Sequence, residues 1–216
     1  MSEELEPGAA AEADRLLDEN HSMLATLDRV LEVMGDVGVP YVFIGGLASA
    51  SHGRYRHTAD IDILVHPGQA RRVLEAFDNA GFETEETFPH WLFKARSGDE
   101  VVDILFSSQG EIYLDDPMLA HSSMASFEGR KIPLVSPEDL IVMKALAHGE
   151  ATPRHWFDAL GILGRCEIDW EYLIARSRRG PWRVISLLAY ARSSDLPVPD
   201  SALRQLMSMV DSESSP

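Results

Sequence analysis

The sequence has one cysteine, no long apolar run and no N-terminal export signal, and each of these shortages excludes a class of protein. A single cysteine, Cys166, cannot form an internal disulfide, which is compatible with a reducing compartment. No apolar run approaches the roughly 18 residues that a membrane-spanning helix needs. The acidic N-terminus lacks the basic and apolar regions of a signal peptide. We therefore expect a cytoplasmic protein that does not enter a membrane.

Basic residues are also scarce. The chain has 19 Lys and Arg residues against 35 Asp and Glu residues, which gives a net charge of −16. Tight, non-specific binding to nucleic acid needs many Lys and Arg contacts to phosphate, so the composition disfavours that class. An RNA substrate is not excluded, because some arginines cluster. They lie at positions 54, 56, 71 and 72 and again at 176, 178, 179, 183 and 192.

What the sequence does have is a distinctive stretch over residues 41–65. It reads as a buried strand, a glycine pair, a short helix, a basic turn and a second strand that carries Asp60 and Asp62. Alternate side chains of a strand point to the same face, so the two carboxylates project together. Two neighbouring carboxylates repel each other unless a cation lies between them. Oxygen ligands of this kind suit Mg²⁺.

The glycine pair supplies the complement to this metal site. Gly45 and Gly46 follow the first strand, and a helix is predicted to start at Leu47. Glycine allows the backbone to approach a ligand closely, and the first turn of a helix offers unpaired N–H groups to an anion. The pattern predicts a pocket that holds phosphates at one end and a metal ion at the other.

These motifs together resemble those of a known superfamily. The sequence G-G at 45–46 followed by R-x-T-x-D-I-D at 56–62 resembles the signature of the polymerase-β-like nucleotidyltransferases. Its form is closest to the branch that contains the toxins of AbiE-type and MenT-type toxin–antitoxin systems. The resemblance is specific over residues 40–106 and weaker as far as residue 163. It implies a third metal-binding carboxylate on a later strand, and Asp103 in E-V-V-D-I-L-F fits that place.

The resemblance implies an Mg²⁺-dependent enzyme that moves a nucleoside monophosphate from a nucleoside triphosphate to an acceptor hydroxyl and releases pyrophosphate. Asp60, Asp62 and Asp103 would hold two Mg²⁺ ions, and Asp103 could accept the proton of the hydroxyl. A tRNA or other RNA acceptor matches the toxin-like motif, and an antitoxin partner would then be expected. A small-molecule or protein acceptor better suits the acidic surface. A catalytically silent nucleotide-binding regulatory protein is the further alternative.

Four more side chains belong to the expected nucleotide site. Arg56 either grips a phosphate or holds its loop through a carboxylate, and Thr58 stands beside it. The resemblance adds a lysine on one helix and an aspartate on the next, here Lys144 and Asp158, with Arg154 as a weaker candidate. A lysine among apolar residues otherwise lies at the edge of a helix with its charge in solvent. The four tryptophans are expected in the core or at domain contacts.

Hydrophobic periodicity predicts an α+β fold with an α/β-like core, in which a small mixed sheet is flanked by helices and followed by a helical C-terminal part. A helix is predicted over residues 11–34, and residues 90–95 and 100–106 are predicted to form a β-hairpin. The predicted divisions are a disordered tail, a nucleotidyltransferase core, a helical domain and a second disordered tail, at residues 1–10, 11–135, 136–210 and 211–216.

Overall fold

The computed structural model of the protein describes residues 7–56, 58 and 60–213. A mixed seven-stranded sheet forms its centre, with the strand order β3-β4-β5-β2-β1-β7-β6. In chain order the strands are β1 (Tyr41–Phe43), β2 (Asp60–Val65), β3 (Glu83–Phe88), β4 (Leu92–Ser97), β5 (Glu100–Leu105), β6 (Ser123–Phe127) and β7 (Arg130–Leu134).

The middle of the sheet positions the acidic residues. Strand β2 is antiparallel to β1 and parallel to β5, and β5 forms an antiparallel hairpin with β4. Along β2, Ile61 and Ile63 are fully buried whereas Asp60 and Asp62 are half-buried. This alternation follows from the pleat of a strand, which sends successive side chains to opposite faces. The isoleucines therefore pack one face of β2 into the core, and the two carboxylates lie together on the other face.

Helices flank the sheet and form most of the C-terminal part. They are α1 (Pro7–Val37), α2 (Gly45–Ser51), α3 (Ala70–Asn79), α4 (Asp116–His121), α5 (Pro137–Ala147), α6 (Arg154–Leu163), α7 (Trp170–Arg176), α8 (Pro181–Ser193) and α9 (Asp200–Glu213). Helix α5 is capped at its N-terminus by Ser136, whose hydroxyl accepts a hydrogen bond from the Asp139 N–H at 3.1 Å. No helix within the described ranges has the length and apolarity needed to cross a membrane.

The predicted α+β architecture is confirmed, as is the hairpin of β4 and β5. Three elements were not predicted in full: strand β3, helix α4 and strand β6. Both strands lie at the edges of the sheet, and β3 has no buried side chain, so neither carries a strong apolar alternation.

The structure describes part of each predicted tail, and it leaves the predicted division between core and helical domain untested. Residues 7–10 and 211–213 are helical although they fall within the predicted tails, and residues 1–6 and 214–216 lie outside the described residues. The division near residue 136 stays a prediction. Buried side chains on both sides of it, from Phe43 in β1 to Leu206 in α9, belong to one hydrophobic core.

Candidate active site

Three carboxylates meet on one face of the sheet. The parallel register of β2 and β5 pairs Asp62 with Asp103, and Asp60 lies two residues earlier on β2. One oxygen from each of the three side chains lies within 4.8 Å of the others. All three side chains are half-buried, so their charges are only partly screened by water. This arrangement of hard oxygen donors can hold Mg²⁺.

The electrostatics of the cluster reflect the crowding of negative charge. Burial, reinforced by the Asp60 and Asp103 carboxylates, raises the pKa of Asp62 to about 7. Burial also raises the pKa of Asp103, although the Lys94 ammonium lies 2.5 Å from its Oδ1 and opposes that shift. Lys94 on β4 is the direct partner of Asp103 in the hairpin register. The cluster thus carries repulsion that a cation would relieve.

The glycine pair lies directly against these residues. Gly45 has φ +64°, and a Cβ there would lie 1.7 Å from Oδ2 of Asp62. A Cβ at Gly46 would lie 2.2 Å from the Thr58 hydroxyl, and the Gly46 N–H donates a hydrogen bond to the Asp62 carboxylate. Any side chain at either position would displace the acidic cluster. The helix α2 begins at Gly45 rather than at Leu47, so both glycines belong to its first turn.

Thr58 acts on the cluster through Asp60. Its hydroxyl donates to Oδ1 of Asp60 at 2.9 Å, which fixes the orientation of that carboxylate. Thr58 was predicted to contact the nucleotide, and the structure places it behind Asp60, outside the cavity lining.

A group of cations surrounds a buried carboxylate next to the cluster. Asp158 on α6 accepts a hydrogen bond from Lys144 Nζ at 2.8 Å and one from Arg56 Nε at 3.1 Å. Arg54 Nε lies 3.9 Å from the same carboxylate. Lys144 and Asp158 are 3% and 1% exposed, so the pair is largely shielded from bulk water, although Lys144 forms part of the cavity wall.

The charges in this group depend on one another. Burial lowers the pKa of Lys144, and its hydrogen bond to Asp158 offsets part of that shift. Burial would raise the pKa of Asp158, but Lys144 and Arg56 more than offset this and hold it below its usual value. Arg56 was predicted either to grip a phosphate or to hold its loop through a carboxylate. The structure gives it a carboxylate partner while leaving it in the cavity wall.

Two of the three clustered carboxylates, Asp60 and Asp62, line one cavity of about 480 Å³ together with cationic side chains, whereas Asp103 is not part of the lining. Gly45, Gly46, Asp60 and Asp62 form one part of its lining. Helices α5 and α6 contribute another part of the lining, with Leu140, Met143, Lys144, Ala147, Arg154 and His155. Burial, with Lys144 nearby, lowers the pKa of His155 to about 4, so its ring is neutral at physiological pH.

Some residues at the site were missed by sequence reasoning. Lys94 was not singled out, because its partnership with Asp103 depends on the hairpin register. Trp91 was expected in the core or at a domain contact, but it lines the cavity and is 41% exposed. Arg154 lines the cavity as well, although Asp158 on the same helix does not.

Comparison with known proteins identifies the family. A family model described as "Uncharacterised nucleotidyltransferase" matches residues 8–195, and the chain belongs to this family. The prediction that the chain is a nucleotidyltransferase is thereby confirmed. A search of curated proteins finds no match to the chain.

Solved structures share the fold. The antibiotic-resistance factor ANT(2'')-Ia is 18% identical with a TM-score of 0.53, over 81% of this chain and 93% of its own. An antigenic nucleotidyltransferase-like protein from Paracoccidioides brasiliensis is 19% identical with a TM-score of 0.51, over 85% and 93%. The MenT4 nucleotidyltransferase toxin from Mycobacterium tuberculosis H37Rv is 15% identical with a TM-score of 0.47, over 85% and 70%. At these identities the likeness shows the fold alone.

Proposed function

We propose that this nucleotidyltransferase uses Mg²⁺ to transfer a nucleoside monophosphate from a nucleoside triphosphate to an acceptor hydroxyl, with release of pyrophosphate. The observation that carries the proposal is the convergence of Asp60, Asp62 and Asp103 on one face of the sheet. A cavity joins this cluster to the basic residues Arg56 and Lys144. Acidic and basic residues around one cavity suit a metal-bound triphosphate, whose negative charge needs neutralising.

The three carboxylates fit two Mg²⁺ ions. They offer hard oxygen donors from rigid strands, and the absence of a side chain at Gly45 leaves the approach to Asp62 open. When bound, Mg²⁺ supplies neutralisation of the triphosphate and stabilisation of the attacking and leaving oxygens. Burial is the main cause of the raised pKa of Asp62, and repulsion from Asp60 and Asp103 adds to it; a cation would remove that repulsion.

The side chains of the protein then have distinct roles. Arg56, Lys144 and Arg154 bind the triphosphate, with Gly45 and Gly46 allowing its close approach. The acceptor oxygen attacks the α-phosphorus, so that a new P–O bond forms as the bond to pyrophosphate breaks. Asp103 accepts the hydroxyl proton.

Two further side chains, the buried Asp158 and the half-buried Thr58, act on this site without touching the nucleotide. Asp158 holds Lys144 and Arg56 in place through its hydrogen bonds, and Thr58 orients Asp60. We therefore assign both as positioning residues.

The acceptor divides the proposal into two cases. The R-x-T-x-D-I-D motif supports a tRNA or other RNA acceptor, which would make the protein a toxin with an antitoxin partner. The net charge of −16 supports a small-molecule or protein acceptor, because it repels a polyanion. The retention of all three carboxylates disfavours a catalytically silent regulatory protein.

The test is transfer from the four nucleoside triphosphates, each labelled at the α-phosphate, with Mg²⁺ present. The acceptors offered are total tRNA and a cell extract depleted of RNA. We expect label on one of them, lost in Asp60→Asn/Asp62→Asn and kept in Asp36→Asn, which changes an exposed carboxylate on α1. Label on tRNA identifies an RNA-directed enzyme, and label in the extract identifies the second case. Absence of a labelled product, together with equal Mn²⁺ binding by the wild type and the double variant, would refute the proposal.

A further inference from the structure

A pair of exposed aromatic rings stands at the edge of the cavity. Trp91 and Phe88 are 41% and 49% exposed, and their rings stack with centroids 5.2 Å apart and an interplanar angle of 13°. Trp91 also lines the cavity. Large aromatic side chains gain free energy by burial. Two stacked rings left open beside a candidate active site therefore form a ready surface for another planar group.

The backbone around Trp91 holds this surface in place. The Trp91 N–H donates to the Phe88 carbonyl at 3.0 Å, which closes the turn between β3 and β4. The Trp91 carbonyl accepts from the Phe106 N–H at 3.0 Å, which ties the turn to the end of β5. Phe106 packs in turn on Phe93, with ring centroids 4.8 Å apart. The ring position is thus largely preformed, which reduces the entropy lost on binding.

The order of the strands decides which substrate this surface faces. Gly45 follows β1, Asp60 and Asp62 lie on β2, Asp103 lies on β5, and Trp91 precedes β4. Because the sheet order is β4-β5-β2-β1, the aromatic pair and the glycines lie on opposite sides of the carboxylates.

The cations are also divided between the glycine side and the aromatic side of the carboxylates. Lys144 interacts electrostatically with Asp62, and Arg56 lies close to Gly46. The electrostatic partners of Asp103 are Lys94 and Arg96 instead. The triphosphate therefore belongs on the glycine side, and the acceptor reaches Asp103 from the side of Trp91.

We propose that Trp91, backed by Phe88, stacks on the acceptor, so that the acceptor carries a planar ring, such as a nucleobase, beside the hydroxyl that receives the nucleotide. This inference rests on the proposed function for the identity of the reaction. Stacking on aromatic side chains is tolerant of base identity and uses uncharged side chains, which suits so acidic a chain. Ser107, Ser108 and Gln109 line the same cavity and offer hydroxyl and amide groups to the edge of the ring.

A binding experiment tests the ring site independently of catalysis. Adenosine is titrated against the protein in the presence of Mg²⁺ and a saturating α,β-methylene triphosphate, which fills the nucleotide side. We expect adenosine to quench tryptophan fluorescence in the wild type and in Trp182→Leu, which removes a 59% exposed tryptophan outside the cavity lining. The quenching should be lost in both Trp91→Leu and Trp91→Phe, because each removes the fluorophore. Equilibrium dialysis with radiolabelled adenosine measures binding itself, which should be lost in Trp91→Leu and retained in part in Trp91→Phe. No saturable quenching in the wild type, or equal quenching in Trp91→Leu, would overturn the inference.

Kinetics then assign the ring site to the acceptor and identify its source. Adenosine, a short single-stranded RNA and tobramycin, whose rings are saturated, are compared as acceptors. Trp91→Leu should raise the KM for the planar acceptor by about tenfold or more and leave the KM for the triphosphate unchanged. Preference for adenosine indicates a free nucleoside-like acceptor, and preference for the oligonucleotide indicates an RNA end.

The opposite results are equally informative. A raised KM for the triphosphate alone would assign Trp91 to the incoming base and overturn the inference, as would equal use of tobramycin and adenosine. Quenching through Trp91 without any transfer would instead refute the proposed reaction and leave the ring site standing.

Discussion

Asp62 and Asp103 are direct neighbours across the parallel pairing of β2 and β5, although 41 positions separate them in the chain. Their side chains therefore share one face of the sheet with Asp60 two residues earlier. Parallel pairing brings the two carboxylates together wherever the backbone is intact, so the cluster is a property of the sheet rather than of a loop. The cost of this proximity is a free-energy penalty for the metal-free protein.

That penalty predicts the effect of removing one charge. The folded-state pKa of Asp62 is about 7 against an unfolded value of 3.8. The metal-free fold is therefore penalised increasingly between those two pH values and fully above them. We expect Asp62→Asn to raise the free energy of unfolding by about 1–3 kcal/mol at about pH 8 and by much less at about pH 4. Urea unfolding in the presence of EDTA measures both values. A gain that is larger at the lower pH would contradict this account.

Addition of a metal ion should remove the same repulsion. At about ten times its Kd, Mg²⁺ stabilises a protein that binds it only when folded by about 1.4 kcal/mol. For a chain of this size that raises the Tm by about 3–5 °C. We expect this shift in the wild type and in Asp36→Asn, and its loss in Asp60→Asn/Asp62→Asn. An equal shift in all three proteins would place the bound ion elsewhere.

Gly45 should tolerate no side chain. Gly45→Ala would bring a Cβ to 1.7 Å from Asp62 Oδ2, so that carboxylate must move. A displacement of about 1 Å at a catalytic group costs on the order of 100-fold in rate, and we expect a loss of transfer of that size. The matched control is Gly35→Ala in α1, where a Cβ would have no neighbour within 4 Å. Comparable activity of Gly45→Ala and Gly35→Ala would show that Asp62 is not held as described.

Substitutions of Lys144 and Asp158 should have coupled effects on the free energy of unfolding and different effects on activity. Asp158→Asn leaves Lys144 and Arg56 without their buried counter-ion, and the expected loss is about 3 kcal/mol. Lys144→Met/Asp158→Asn should lose less than the sum of the two single changes, because each removes the partner of the other. Thermal unfolding of the four proteins gives the coupling free energy. Additive losses would indicate that the pair makes no net contribution.

Kinetics distinguish the roles of these two residues. Lys144→Met removes a cation from the cavity wall and should raise the KM for the triphosphate. The double variant Lys144→Met/Asp158→Asn should not restore the wild-type KM, because the contact between Lys144 and the phosphate stays absent. Recovery of transfer in the double variant would instead show that Lys144 serves only to neutralise Asp158.

The sequence predicted the part of the site that depends on local pattern. Asp60 and Asp62 follow from strand alternation, and Gly45 and Gly46 follow from their place after a strand. The position of Asp103 came from family resemblance, because no local signal specifies that β5 pairs with β2. Its role, like those of the other site residues, stays a prediction until the variants are measured.

Features that depend on pairing register or burial were beyond the sequence. Lys94 meets Asp103 only because the hairpin aligns them, and a lysine within an alternating strand is not distinctive. Asp158 was expected at the nucleotide, but the packing of α5 on α6 buries it beneath Lys144. The edge strand β3 reads E-T-E-E-T-F. It pairs on one side only, and its polar sequence lacks the apolar alternation by which a strand is predicted.

The central claim is transfer of the α-phosphoryl group with its nucleoside, and the position of a radioactive label tests it most directly. The wild type is incubated with Mg²⁺ and its acceptor, in parallel with triphosphate labelled at the α-phosphate and at the γ-phosphate. The account predicts that the α label becomes attached to the acceptor while the γ label leaves as pyrophosphate, and that Asp60→Asn/Asp62→Asn does neither. Attachment of the γ label to the acceptor would contradict it, because the protein would then transfer phosphate rather than a nucleotide.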